Sequence, residues 1–288
     1  HDCAAFVGTP DEKSLVIEIK RLVTDLGYRN GLIEKARKLA FKKHNLVELR
    51  NIFRSYVLST VGLDIEMSNG FQEQFPRDAH AHIDETQIVA ELFSSNAEGS
   101  LMIDVGAHHG SALAPFHRMS WTVLAFEPDV NNRSYLVDRY GQEDNIVIDP
   151  RAVGEEEATD IDFFTSDEST GISGMLAFTD THRIAGKVAV TTVEAIIEES
   201  AIKHIDFLKI DVEGHDLSVL KGVPWNQVKP SVIECEFEDK KTNLLGHSWK
   251  DICEYLQTKG YVVYVSEWHP IIRYGIQHDW LGLKPYPC

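Results

Sequence analysis

Cysteine is scarce in this chain. Cys3, Cys235, Cys253 and Cys288 are the four in 288 residues, and none forms a CxxC pair. That excludes a zinc knuckle and a dithiol redox motif. Cys235 and Cys253 lie in apolar-patterned segments, so they read as small core residues of a protein kept in a reducing, cytoplasmic setting. Positive charge is also short: 28 Lys+Arg face 45 Asp+Glu, for a net charge of −17. A chain this acidic is repelled by phosphate backbones, which argues against nucleic acid as a partner. No uninterrupted apolar run approaches the ~20 residues of a membrane span, so stable membrane insertion is not expected. A starting methionine and a charged-then-apolar leader are missing too. The chain opens His1-Asp2-Cys3 and is expected to have been trimmed or tagged. With 43% hydrophobic and 25% charged residues, disorder throughout is excluded.

Two regions differ in pattern. Over residues 14–62 apolar side chains recur at helical spacing, punctuated by Gly27, Asn30-Gly31 and Asn45, which predicts three short helices. Lys35, Arg37, Lys38, Lys42, Lys43, Arg50 and Arg54 cluster there with a single acid, Glu48. This is either a docking face for an anionic partner or a solvated helix face. Residues 67–83 are rich in turn and polar types and read as a linker; His80-x-His82 within them is half a metal site at best. Residues 1–80 therefore form an expected N-terminal helical cap, and 81–288 the main domain. From residue 84 onward strands and helices alternate. Strands are predicted over 101–105, 122–127, 146–149, 161–164, 188–192, 205–212, 231–237 and 261–266, with helices at 85–93, 112–119, 130–140, 193–199, 215–220 and 249–258. Such alternation marks an α/β fold, a mostly parallel sheet covered on both faces.

Ligands of such sheets bind beyond the carboxyl ends of the strands. The first strand ends Asp104-Val105-Gly106-Ala107-His108-His109-Gly110. Gly106 permits a tight turn, Gly110 allows a helix to pack beneath a ligand, and Asp104 suits a cationic amine. This is neither GxGxxG nor a P-loop. The next strand ends in Glu127, where a carboxylate can accept hydrogen bonds from ribose hydroxyls. Together they predict a nucleoside-bearing cofactor. Further on, Asp211 and Glu213 stand two apart at a strand end, as do Glu234 and Glu236 on the following strand. If those strands are neighbours, carboxylates gather at one rim and need a proton, a cation or a substrate to offset them; the plain alternative is a solvated acidic edge. Ser169-Thr170-Gly171-Ile172-Ser173-Gly174 reads as a cover for the cofactor or as an ordinary surface turn.

DVGAHHG at 104–110, FEP at 126–128, RAVG at 151–154 and LKIDVEGHDLSVLKG at 208–222 together resemble the FkbM-type family of S-adenosylmethionine-dependent methyltransferases. The resemblance runs from about residue 85 to 264. It implies a class I methyltransferase (Rossmann-like) sheet of seven strands, the last reversed, and methylation of hydroxyl groups on sugars, glycans or polyketide-type natural products. Asp104, Gly106, Ala107, His108 and Gly110 would then line the methionine and ribose side of S-adenosylmethionine. Glu127 would hold the ribose diol, Arg151 and Ala152 would flank the adenine, and Asp211 would lie at the cofactor's edge. His108 departs from the family, which usually has Asn there. The arrangement is also similar to sugar and macrolide O-methyltransferases of the macrocin type. That likeness implies Mg²⁺ on Asp211 and Glu234 with Glu236 beside them, and Glu213 or His215 as the base, with Asp211 the third catalytic candidate.

An alcohol acceptor must lose its proton to become a competent nucleophile, which is why a base is sought. Two other readings share parts of the pattern. A nicotinamide-dependent oxidoreductase would use the glycine turn and Glu127, but would be expected to carry GxGxxG. A non-catalytic cofactor-binding scaffold would be expected to have eroded motifs. Nucleic-acid methylation lacks an NPPY-like loop. The acceptor is expected to be a small molecule or glycan; Trp249, Trp268 and His269 could line its pocket or belong to the core.

Overall fold

LMIDV, TVLAF and FLKI are too short for helices and are apolar on both faces, as central strands of a covered parallel sheet are. In the computed structural model, which describes residues 2–8 (as backbone), 85–93, 99–269, 274 and 280–287, they are adjacent strands. The elements in chain order are β1 (Asp2–Gly8), α1 (Glu85–Leu92), β2 (Leu101–Val105), α2 (Ala114–Arg118), β3 (Thr122–Phe126), α3 (Val130–Tyr140), β4 (Ile146–Asp149), β5 (Ala152–Gly154), β6 (Ala158–Ser166), β7 (His182–Thr192), α4 (Val193–Glu199), β8 (Phe207–Ile210), α5 (Asp216–Lys221), β9 (Val232–Glu238), α6 (Asp239–Thr242), α7 (Trp249–Thr258), β10 (Val262–Trp268) and β11 (Trp280–Pro285). The helices expected over 14–62, the basic cluster at 35–54 and His80-x-His82 lie outside the described residues.

Among the described residues the main sheet has eight strands rather than seven, in the order β11-β10-β1-β9-β8-β2-β3-β4. From β9 to β4 the five strands are parallel. β1 is antiparallel to both β9 and β10, and β11 is antiparallel to β10. The region expected as a helical cap thus contributes a strand to the sheet. The segments expected as strands at 161–164 and 188–192 do not join that sheet. They belong to β6 and β7, a long antiparallel pair that forms a separate three-stranded sheet with β5.

Strand alternation divides the apolar residues between two faces. Ile103, Val105, Leu124, Phe126, Leu208 and Ile210 pack with α4, α5 and α7 on one side. Met102, Val123, Ala125 and Phe207 pack with Phe116, Trp121 and α1 on the other. Helix starts are written locally. Asp129 accepts the N–H groups of Asn131 and Asn132 at the head of α3, Thr192 caps α4 through Ala195, and Ser248 and Asp251 form a capping box on α7. These anchors fix where each strand ends, and the loops beyond those ends build the site.

Candidate active site

The same alternation that buries Met102 and Phe207 places Asp104 and Lys209 on that face, where the parallel register sets Asp104 beside Lys209 and Lys209 beside Glu234. Three strands thus carry an acid–base–acid row one step above the apolar core. Asp104 is fully buried, and Lys209 Nζ stands 3.7 Å from its Oδ1 and 3.3 Å from Asp211 Oδ2. Glu234 accepts the Thr86 hydroxyl of α1 at 2.8 Å. Burial pushes Asp104 up, with the Lys209 ammonium opposing. Desolvation alone would raise Asp211 too, but Lys209 and Lys241 together hold it below its ordinary value.

Two residues further along β2 lies the glycine turn. Gly106 has φ +82°, and a Cβ there would stand 1.9 Å from the carbonyl oxygen of Asp211. The close approach is between two strand ends, so the glycine is required by the fold itself. Gly110, at φ +76°, packs on α3, where a Cβ would meet Leu136 and Tyr140 at 2.6 Å. Between them His108 takes a left-handed backbone, φ +49°. Asn and His are both enriched in that conformation, which accounts physically for the histidine. His108 Nε2 lies 3.0 Å from Thr170 Oγ1, and its ring stacks on His109 at 3.8 Å. Glu127 closes the turn: Oε2 accepts the His108 N–H at 2.7 Å and Oε1 the Asp129 N–H at 2.8 Å. Burial pushes this carboxyl up to about 7.

A cavity of about 660 Å³ opens above the carboxyl ends of β2, β3 and β8. Gly106, Ala107, His108, Glu127, Arg151, Ala152, Asp211 and Glu213 all reach its wall, as do Lys209, Glu234 and Trp268. Thr170, Gly171, Ser173 and Gly174 of the polar loop line it as well. The volume and the mix of a strand-end carboxylate with backbone turns and a few apolar side chains fit a nucleoside cofactor.

Other expected site residues stand elsewhere. Asp104 is withdrawn from the cavity because its register neighbour Lys209 engages it. Gly110 is occupied by α3. His215 heads α5 and does not line the cavity; burial and the neighbouring His247 lower its pKa. Arg151 lines the cavity, yet its guanidinium is held by Asp149 at 2.7 Å and Glu199 at 2.8 Å. Trp249 stacks on Phe237 in the core, and His269 is exposed.

The acids separate into two sets. Among the described residues Asp211, Glu213 and Glu236 bring ligand oxygens within 4.8 Å of one another, whereas Glu234 turns to Thr86 and leaves the group. Glu213 takes the place expected for Glu234. It sits at φ +57° and is 6% exposed, and burial pushes its carboxyl up to about 7 against the Lys241 ammonium. Lys209 and Lys241 were not among the expected site residues. Lys209 was readable from strand alternation within LKID; Lys241 follows the strand without any periodic signal.

A family model described as the methyltransferase FkbM domain matches residues 104–263. A hexuronic acid methyltransferase, AglP, of Haloferax volcanii is 27% identical over 143 residues, 48% of this chain and 56% of AglP. The chain therefore matches about half the length of that relative. The crystal structure of a methyltransferase FkbM from Methylobacillus flagellatus KT aligns at 24% identity over 43% of this chain and 28% of its own, with a TM-score of 0.30. The family match takes in the glycine turn, Glu127, the acidic strand ends and β9, more than half of the sequence, and the chain belongs to the methyltransferase FkbM family.

Proposed function

We propose that this chain moves a methyl group from S-adenosylmethionine to a hydroxyl of a sugar or glycan. The observation that carries the reading is that one cavity takes in both Glu127, at the tip of the second parallel strand, and Glu213, beyond the tip of the fourth. In this reading the first binds a ribose and the second takes a proton. When bound, S-adenosylmethionine supplies an electrophilic methyl group on a sulfonium. Glu127, with Ala107 and the His108 backbone, holds the nucleoside, and Ala152 and Val153 offer an apolar wall. Glu213 receives the acceptor's hydroxyl proton as the oxygen becomes nucleophilic, and a carboxyl near 7 is matched to that task at neutral pH. Positioning within the cavity supplies much of the remaining rate. A sugar acceptor is favoured over a polyketide by AglP, whose name gives hexuronic acid as its substrate.

The donor set does not fit Mg²⁺. Asp211, Glu213 and Glu236 offer oxygens of the right kind, but Lys241 Nζ already lies 2.5 Å from Glu213 and 3.3 Å from Glu236. No step is therefore assigned to a metal.

Calorimetry with S-adenosylmethionine tests the first half of the proposal and transfer of labelled methyl to hexose and hexuronate glycans the second. Saturable binding followed by label in an alkali-stable ether is the expected result. Absence of any cofactor binding by the unaltered chain would sink the reading.

A further inference from the structure

Asp211, Glu213, Glu236 and Glu238 crowd the ends of β8 and β9, and such a group needs an offsetting positive charge. The structure supplies one from the chain. Lys241 is the third residue of α6, and its side chain is 2% exposed. Its Nζ lies 2.5 Å from Glu213 Oε2, 3.2 Å from Glu238 Oε2 and 3.3 Å from Glu236 Oε2. The rings of Phe178 and Tyr274 face the same nitrogen, with centroids at 5.3 and 5.8 Å. Those are distances at which an aromatic face attracts a cation. The Tyr274 hydroxyl in turn donates to Glu238 at 2.9 Å, which ties ring and carboxylate together. Three carboxylates and two ring faces around one nitrogen make a complete cation-binding shell.

A divalent ion held by Asp211, Glu213 and Glu236 would share two of its three ligands with this ammonium. Two cations a few ångströms apart in a water-poor site repel strongly, so ion and ammonium exclude each other. We propose that Lys241 is the resident cation of the site: its ammonium occupies the position a divalent metal would take and positions Glu213 at the cavity wall. Gly174 supports this placement from the other side, since its α-carbon passes so near that a Cβ would lie 3.2 Å from the Glu213 Cβ. Resting on the methyl-transfer reading, it follows that turnover needs no added metal.

The test begins without cofactor or acceptor. Mn²⁺ is titrated into the wild-type chain and followed by electron paramagnetic resonance. No stoichiometric binding is expected. Lys241→Gln removes the ammonium and is expected to bind Mn²⁺ at least about tenfold more tightly, because the acids lose their internal partner. Adding Asp211→Asn to that variant abolishes the gain. A wild-type chain that takes up one equivalent of Mn²⁺, and releases it on Asp211→Asn, overturns the proposal whatever the Lys241 variants do. That arm stands even if Lys241→Gln fails to fold. In the activity arm, wild-type turnover is expected to be unchanged by EDTA. Lys241→Ala should lose turnover and regain it with ethylammonium, a rescue that a merely structural lysine would not show. Turnover lost in EDTA and restored by Mg²⁺ overturns the proposal. If S-adenosylmethionine does not bind at all, the methyl-transfer reading fails while the Mn²⁺ titration still decides the resident cation.

Discussion

Glu127 accepts the backbone N–H of His108 at 2.7 Å, so one side chain ties the tip of β3 to the turn that follows β2. Its other oxygen takes the Asp129 N–H at 2.8 Å, and each oxygen keeps a lone pair for a further donor. Glu127→Gln can accept only one of the two N–H groups and turns its amide against the other. Loss of a charge-assisted bond, ~1.5–3 kcal/mol, predicts S-adenosylmethionine affinity lower by about 10- to 100-fold in calorimetry. Unchanged affinity would dissociate Glu127 from the cofactor.

The same carboxyl makes stability depend on pH. Its folded pKa is raised from 4.5 to about 7 by burial, so the folded state binds the proton more tightly than the unfolded chain. That contribution is complete below about pH 4.5 and disappears as pH rises through about 7, a change of ~3 kcal/mol. Urea unfolding of the ligand-free chain is expected to show lower stability at pH 8 than at pH 5, and Glu127→Gln to narrow the gap. Equal midpoints for wild type at the two pH values would contradict the assignment.

Glu213 yields a kinetic counterpart. As a base it must be ionised, and its pKa of about 7 predicts that kcat/KM climbs with pH and levels off above that value. Glu213→Gln is expected to lower kcat by ~10²–10⁴ while cofactor affinity changes little. Retained turnover in this variant would move the base elsewhere.

Among the described residues Lys209 is the cation that faces Asp104, whose oxygens have no hydrogen-bond partner there. Lys209→Met leaves a buried carboxylate without its counter-charge and should cost ~3–5 kcal/mol in denaturant unfolding. Adding Asp104→Asn should recover a substantial part, because the uncompensated charge is gone. Strict additivity of the two substitutions would show that they do not act as a pair.

Gly106→Ala forces a Cβ to 1.9 Å from the Asp211 carbonyl at a positive φ. Failure to reach the folded state, or a melting temperature lower by well over 10 °C, is expected; ~1 kcal/mol moves a domain of this size by only ~2–4 °C. Gly186→Ala in β7, where a Cβ would meet nothing within 4 Å, serves as the control and should change little.

Central strands and their flanking helices were legible because local signals agreed with burial: 101–105, 146–149, 130–140, 193–199 and 249–258 fall where the pattern places them. Sheet membership was not. β6 and β7 read as strands from alternation, but which partner a strand chooses is decided by contacts distant in sequence. The site divides along the same line. Asp211 with Glu213 and Glu234 with Glu236 were each seen as pairs along one strand. Which members of the two pairs meet depends on how each strand end leaves the sheet. Glu213 lies beyond β8, in a left-handed residue that turns it toward Glu236, while Glu234 stays within the sheet beneath α1. Lys241 carries no periodic signal, since α6 is a single turn whose buried lysine is held by acids and aromatic rings distant in sequence as well as near it.

β1 sets Gly8 against Val232 on one side and Val262 on the other. β1 thus finds both of its partners across most of the described sequence. The parallel half, β2 to β4 with β8, pairs over shorter separations, but the acidic end of β9 gains its second neighbour only when β1 docks. Contacts so remote in sequence slow folding and leave an unpaired edge exposed in the meantime. The completion of the sheet beside the acidic strand ends is therefore a late folding event, and a chain in which β1 has not docked would present the cavity next to an open, aggregation-prone strand.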